Sequence, residues 1–146
     1  MKMRLAFLFI VLLAVGFPAA VVAEEGKDGF VLIVNKTNQF ESLSRSRAKH
    51  IFLKRIGRWP WGAEVVPIDL PEGSPLRRKF VNTILGVNVE ELSVYWIDQK
   101  VTRNVNPPLP AESIQAAKKM VAARVGAIAY IPESAVDDTV KVLRLE

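Results

Sequence analysis

The chain has 146 residues, with 20 Lys and Arg against 15 Asp and Glu, one His and no Cys, for a net charge of +5 at pH 7. The absence of cysteine excludes disulfides, iron–sulfur centres, thiolate zinc sites and a lipid anchor through a lipobox. The length, half of it hydrophobic, is that of one ordinary domain with a proper core.

The first segment has the three parts of a cleavable secretory signal. Lys2 and Arg4 supply the positive start, residues 5–17 carry no charge, and Val21-Val22-Ala23 put small residues before Glu24 and Glu25. The apolar run is shorter than the ~20 residues of a membrane span, although residues 5–23 together come close to an uncleaved anchor. The expected organisation is a signal peptide over residues 1–23 and a single domain over 24–146, with no stable membrane anchor after cleavage. The mature chain would carry a net charge near +3, since Lys2 and Arg4 leave with the signal. An exported domain without disulfides suits a bacterial periplasm, so a periplasmic or secreted location is expected.

Residues 30–35 (FVLIVN) form a continuous apolar, β-branched run, as a strand buried on both faces does. Ser42-Leu43-Ser44 opens a helix reaching about Leu53, followed by a loop punctuated by Gly57, Pro60 and Gly62 that holds Trp59 and Trp61. Residues 64–69 read as a second strand, near an edge or bulge because of Pro67. Ser74 reads as an N-cap with Pro75 at the first helical position, Leu76, Phe80 and Ile84 make an apolar face, and Gly86 stops the helix. Asn88 with Glu91 resembles a capping box for the next helix, whose core side is Leu92, Tyr95 and Trp96. Residues 101–110 read as a proline-rich loop. Ser113 starts a fourth helix that Gly126 ends, residues 127–131 are a third strand, and residues 140–145 are the last. Strands alternating with helices predict one three-layer α/β domain around a small mixed or parallel sheet.

The succession "IFLKRIGRWPWGAEVVPIDLPEGSPLRRKF", "LSVYWIDQKVTRNVNPPLP" and "VGAIAYI" resembles the phosphate-type periplasmic substrate-binding proteins of ABC transporters. The residues that carry it are Ile51-Phe52, Trp59, Gly62, Gly73-Ser74, Phe80, Trp96, Pro107-Pro108 and residues 126–130. The resemblance implies one lobe of a type II periplasmic binding protein, a phosphate-like ligand and no enzymatic activity. The departures fall in the ligand turn. The family's Gly-Ser-Gly-Thr appears as Gly73-Ser74-Pro75-Leu76, its arginine corresponds to Leu70, its aspartate to Glu72, and the glycine of its IF-x-G segment to Lys54.

The candidate anion site is the helix start at Gly73, Ser74, Leu76 and Arg77. A helix N-terminus gathers unpaired N–H donors and partial positive charge, and Arg77 adds a charged contact. The plainer reading of Ser74 is a helix cap. A second candidate is an interaction surface at Arg45, Arg47, Lys49, Trp59 and Trp61, within a stretch with no acid between Glu41 and Glu64; its plainer reading is a solvated helix face. Asp137-Asp138 reads as a solvated turn rather than a calcium site. With one histidine, no thiol and no phosphate-loop or zinc-protease motif, no catalytic site, metal site or cofactor is expected, and export argues against nucleic acid as a partner. Two functions remain. One is an exported phosphate-type binding protein that holds a small anion weakly. The other is a non-enzymatic module that engages an envelope protein and has lost phosphate binding. The processing step is directly checkable: intact-mass measurement of the protein from the native host's envelope should show a chain beginning at Glu24, not one retaining residues 1–23.

Overall fold

The computed structural model describes residues 29–146; the expected signal peptide lies outside them. The chain order is strand β1 (Val31–Val34), β2 (Ser42–Leu43), helix α1 (Arg45–Phe52), β3 (Val66–Asp69), α2 (Pro75–Phe80), α3 (Val89–Arg103), β4 (Leu109–Pro110), α4 (Ile114–Ala123), β5 (Ala127–Ile131) and β6 (Lys141–Leu145). A π-helical turn, Val81–Leu85, extends α2. The six strands form one mixed sheet in the order β2-β6-β1-β5-β3-β4. The central β1 is antiparallel to both β5 and β6, with Val31 opposite Ile131 and Leu32 opposite Leu143. The β3 strand is parallel to β5 and to β4.

All five residues of β5 are buried, so both faces of the sheet are covered and side chains of either parity are apolar. Phe30, leading into β1, meets Phe80 of α2. Asn35, of opposite parity, donates from Nδ2 to the carbonyls of Val121 and Ala122 in α4, both at 3.0 Å. Thus α2 lies on one face and α4 on the other, which makes the three expected layers. Among the described residues no helix is long and apolar enough to cross a membrane.

The caps read from the sequence are present. Ser74 caps α2 with Pro75 at its start, Gly86 closes the π-turn at φ 72°, and the Asn88–Glu91 box opens α3. Three local expectations change. Ser42 and Leu43 are not helical: they pair with Arg144 and Leu145 as a parallel edge strand, and Ser44 caps α1 by accepting the Arg47 N–H at 3.2 Å. Pro67, by contrast, lies near an edge as expected: it stands opposite Ile128, and the β4 ladder on its other side starts only at Ile68, so no bond is asked of its missing N–H. Helix α3 runs on to Arg103 until Asn104 takes a left-handed conformation, and Leu109–Pro110 become a short strand. Gly126 is not a helix stop, since α4 has already ended at Arg124.

Gly126 is instead a close-approach glycine. A Cβ there would stand 1.7 Å from the Glu64 carbonyl oxygen. Its own carbonyl accepts from the Val66 N–H and from Trp59 Nε1, each at 3.0 Å. A Gly126→Ala substitution must push β3 away from β5, and urea unfolding should show a loss of about 2–3 kcal/mol with the slope unchanged.

Candidate functional site

The parallel strands β5, β3 and β4 end together at one edge of the sheet. In open α/β sheets ligands bind beyond such carboxyl ends. Asp69 is the last residue of β3, and α2 begins six residues later. Arg77 Nε donates to Asp69 Oδ2 at 2.8 Å, and the two side chains are 11% and 18% exposed. The Tyr130 hydroxyl donates to Asp69 Oδ1, and the Leu70 N–H reaches the same oxygen at 3.0 Å. The carboxylate is therefore met by three donors, one of them charged. Desolvation within the core, followed by the nearby Asp69 charge, pushes the Tyr130 phenol far above a tyrosine's ordinary value.

A groove of about 530 Å³ opens over this edge. Arg77 and Asp69 lie in its lining with Glu72, and apolar wall comes from Trp96, Ile97 and the proline loop through Pro107–Pro110. An arginine has five N–H donors. Only Nε is committed to Asp69, so the two terminal nitrogens remain for a ligand.

The predicted helix-start residues are brought together, with their roles divided. Ser74 Oγ accepts the Arg77 N–H at 3.3 Å, so the hydroxyl caps the helix. Pro75 has no N–H, and Leu76 is half-buried against the core. Gly73 is exposed and has open space beside it. Of the four, only Arg77 lies in the lining of the groove. Asp69 and Tyr130, which orient it, were missed by sequence reasoning. The available signal was a carboxylate at a strand end, eight residues before an arginine in a capped first turn.

The second set of residues does not form one surface. Trp59 is only 2% exposed. It stacks on Trp61 with ring centroids 5.2 Å apart, and Phe40 packs against both. Arg47 lies over the Phe40 ring at 5.1 Å, which ties it to this aromatic cluster. Lys49 lies elsewhere, in the wall of a separate pocket, and Arg45 is held at the chain end by its N–H bond to the Glu146 carbonyl. Among the described residues no group of three metal-ligating side chains occurs. Asp137 is occupied by Lys118 at 2.6 Å, and the hydrogen bonds from Lys118 and Thr139 hold its carboxyl well below the usual range.

No protein-family model and no curated protein matches the chain. Solved structures do. One is a Clostridium perfringens protein described as a phosphate ABC transporter substrate-binding protein with bound phosphate. It is 26% identical, with a TM-score of 0.64 over 80% of this chain and 44% of its own. An ABC-type phosphate transport receptor from Vibrio cholerae is 20% identical, with a TM-score of 0.64 over 80% of this chain and 46% of its own. PstS from Borrelia burgdorferi is 11% identical, with a TM-score of 0.63 over 81% and 47%. The described fold is that of a periplasmic-binding-protein lobe, and the resemblance to phosphate-type substrate-binding proteins is borne out by these matches. The chain spans less than half the length of each of these structures.

The buried Tyr130 phenol has a measurable signature. Because the folded phenol ionises far above 10.0, the unfolded chain loses that proton first as pH rises. The stabilisation is complete below pH 10 and declines above it. Wild-type unfolding free energy should fall past pH 10 more steeply than that of Tyr130→Phe. At pH 7 the same substitution should cost about 1.5–3 kcal/mol, the worth of a hydrogen bond to a charged group.

Proposed function

We propose that the protein is an exported, non-enzymatic binding protein of the phosphate-receptor type, which holds a small phosphate-like anion weakly at the carboxyl edge of its sheet. The observation that carries this reading is Arg77. In a fold matched by phosphate receptors, this arginine stands at the strand ends, is oriented by Asp69 at 2.8 Å and lines the open groove. Weakness follows from the same contact, because the carboxylate offsets the guanidinium charge that would attract an anion. Pro75 and Leu76 remove a backbone donor and a hydroxyl from the turn that the family uses. The proposal that the mature domain, residues 24–146, is exported to the periplasm is supported by the N-terminal pattern of residues 1–23 and by the kind of proteins that share the fold.

A second reading has its own observation. The charged lining of the groove is two carboxylates, Asp69 and Glu72, against Arg77, and most of the remaining wall is apolar. Val94, Ile97 and Val101 of α3 are 67%, 66% and 80% exposed, and Ile97 belongs to that wall. Such a face suits an envelope protein partner better than inorganic phosphate.

Calorimetry with phosphate and sulfate separates the two. Under the receptor reading the wild type binds at millimolar concentration or better. Arg77→Gln weakens binding by about 1.5–3 kcal/mol, the worth of a charged hydrogen bond, while Ser74→Ala mainly costs about 1 kcal/mol of stability through the lost cap. If the wild type binds neither anion, the receptor reading fails.

A further inference from the structure

A pocket of about 170 Å³ lies between the end of α1, the π-turn and the start of α3, and it shares no lining residue with the groove at the sheet edge. Its apolar surface comes from Leu53, Leu85 and Leu92, which are 7%, 3% and 2% exposed, together with the half-buried Val87 and Tyr95. The charged residues in the wall are Lys49, Arg55 and Glu91. Glu91 is engaged locally: its carboxylate accepts the Asn88 N–H at 2.9 Å in the capping box. Arg55 is positioned, its guanidinium lying 5.7 Å over the Tyr95 ring. The ring in turn is fixed by its hydroxyl, which donates to the Leu53 carbonyl at 3.0 Å.

Lys49, in the last turn of α1, complements the negative end of that helix. That role does not extend to Arg55, which follows the helix and is held over the pocket by an aromatic side chain from α3. Two cations over an apolar floor, with the neighbouring carboxylate already bonded, form a surface complementary to an anion that also carries an apolar group. Leu85 in the wall is the last residue of the π-turn Val81–Leu85, a rare conformation that concentrates at functional sites. The volume lies below the ~300–1,000 Å³ of sites for drug-sized ligands, which restricts the occupant to a small molecule.

We propose that this pocket binds a small organic anion, with a carboxylate or phosphate head met by Lys49 and Arg55 and an apolar end against Leu85, Leu92 and Tyr95. The site is independent of Arg77 and of any phosphate binding at the sheet edge. Backbone amide NMR of the processed protein, titrated separately with benzoate, phenyl phosphate and inorganic phosphate, tests it. Saturable shifts are expected at Leu53, Gly86 and Val87 with benzoate, phenyl phosphate or both; the arm that responds identifies the head group. Inorganic phosphate should bind there far more weakly than phenyl phosphate. The double substitution Lys49→Gln with Arg55→Gln should weaken binding by about tenfold or more, whereas Arg77→Gln should leave it unchanged. The amide spectrum itself reports that each variant is folded. The proposal is overturned if neither organic anion shifts these amides, if the double variant binds as the wild type does, or if inorganic phosphate binds as well as the organic anion that responds.

Discussion

A phenol buried in an aromatic core must find a partner for its hydroxyl, and in this molecule that requirement joins the core to the sheet edge. Tyr130 is fully buried on β5, stacked on Phe80 at 3.9 Å with the rings 2° from parallel, with the edges of Phe30 and Phe52 against it. Its hydroxyl donates to Asp69 on the adjacent strand β3 and accepts the Leu70 N–H at 3.4 Å. Asp69, once fixed there, accepts Arg77 from α2. The packing of α1 and α2 on the sheet and the orientation of the groove's guanidinium are therefore one connected arrangement. A change in the aromatic cluster would be felt at Arg77 without touching it.

The two candidate sites follow opposite electrostatic designs. At the sheet edge a single guanidinium is paired with a carboxylate, so the pair's net charge is near zero, in a wide groove whose remaining charge is acidic. Orientation is gained and attraction is given up. In the pocket beside the π-turn, two cations stand over a small apolar floor and the neighbouring carboxylate is drawn into a helix cap. Attraction there comes from two cations against one carboxylate, a net positive wall. A helix-start reading alone would have credited the first site with backbone donors, yet Pro75 lacks its N–H and Ser74 takes the N–H of Arg77.

The aromatic cluster around Trp59 shows why a basic, tryptophan-bearing stretch need not be a surface. The Trp59 indole N–H is satisfied by the Gly126 carbonyl, its ring is covered by Trp61 and Phe40, and Arg47 lies across Phe40. Long cationic side chains that bury their stems over aromatic rings serve packing as much as solvation.

What the sequence determined by itself is what depends on neighbours a few residues apart. Ser74 with Pro75, Asn88 with Glu91 and Gly86 mark helix ends because caps close within one turn. The β-branched runs at β1 and β5 mark buried strands because both parities are apolar. The likeness to phosphate receptors was legible for the same reason, carried by short segments in order. What only the tertiary structure decided depends on contacts across long separations. Ser42 and Leu43 become a strand because β6, a hundred residues later, offers them an edge. Gly126 is required because the Glu64 backbone passes against it. Asp69 becomes the keystone of the edge because it accepts the hydroxyl of Tyr130, 61 residues away, and Lys49 meets Arg55 and Tyr95 at one pocket because α1 and α3 pack around the same π-turn. None of these partners is specified by local pattern, since each is chosen by closure of the sheet and burial of its two faces.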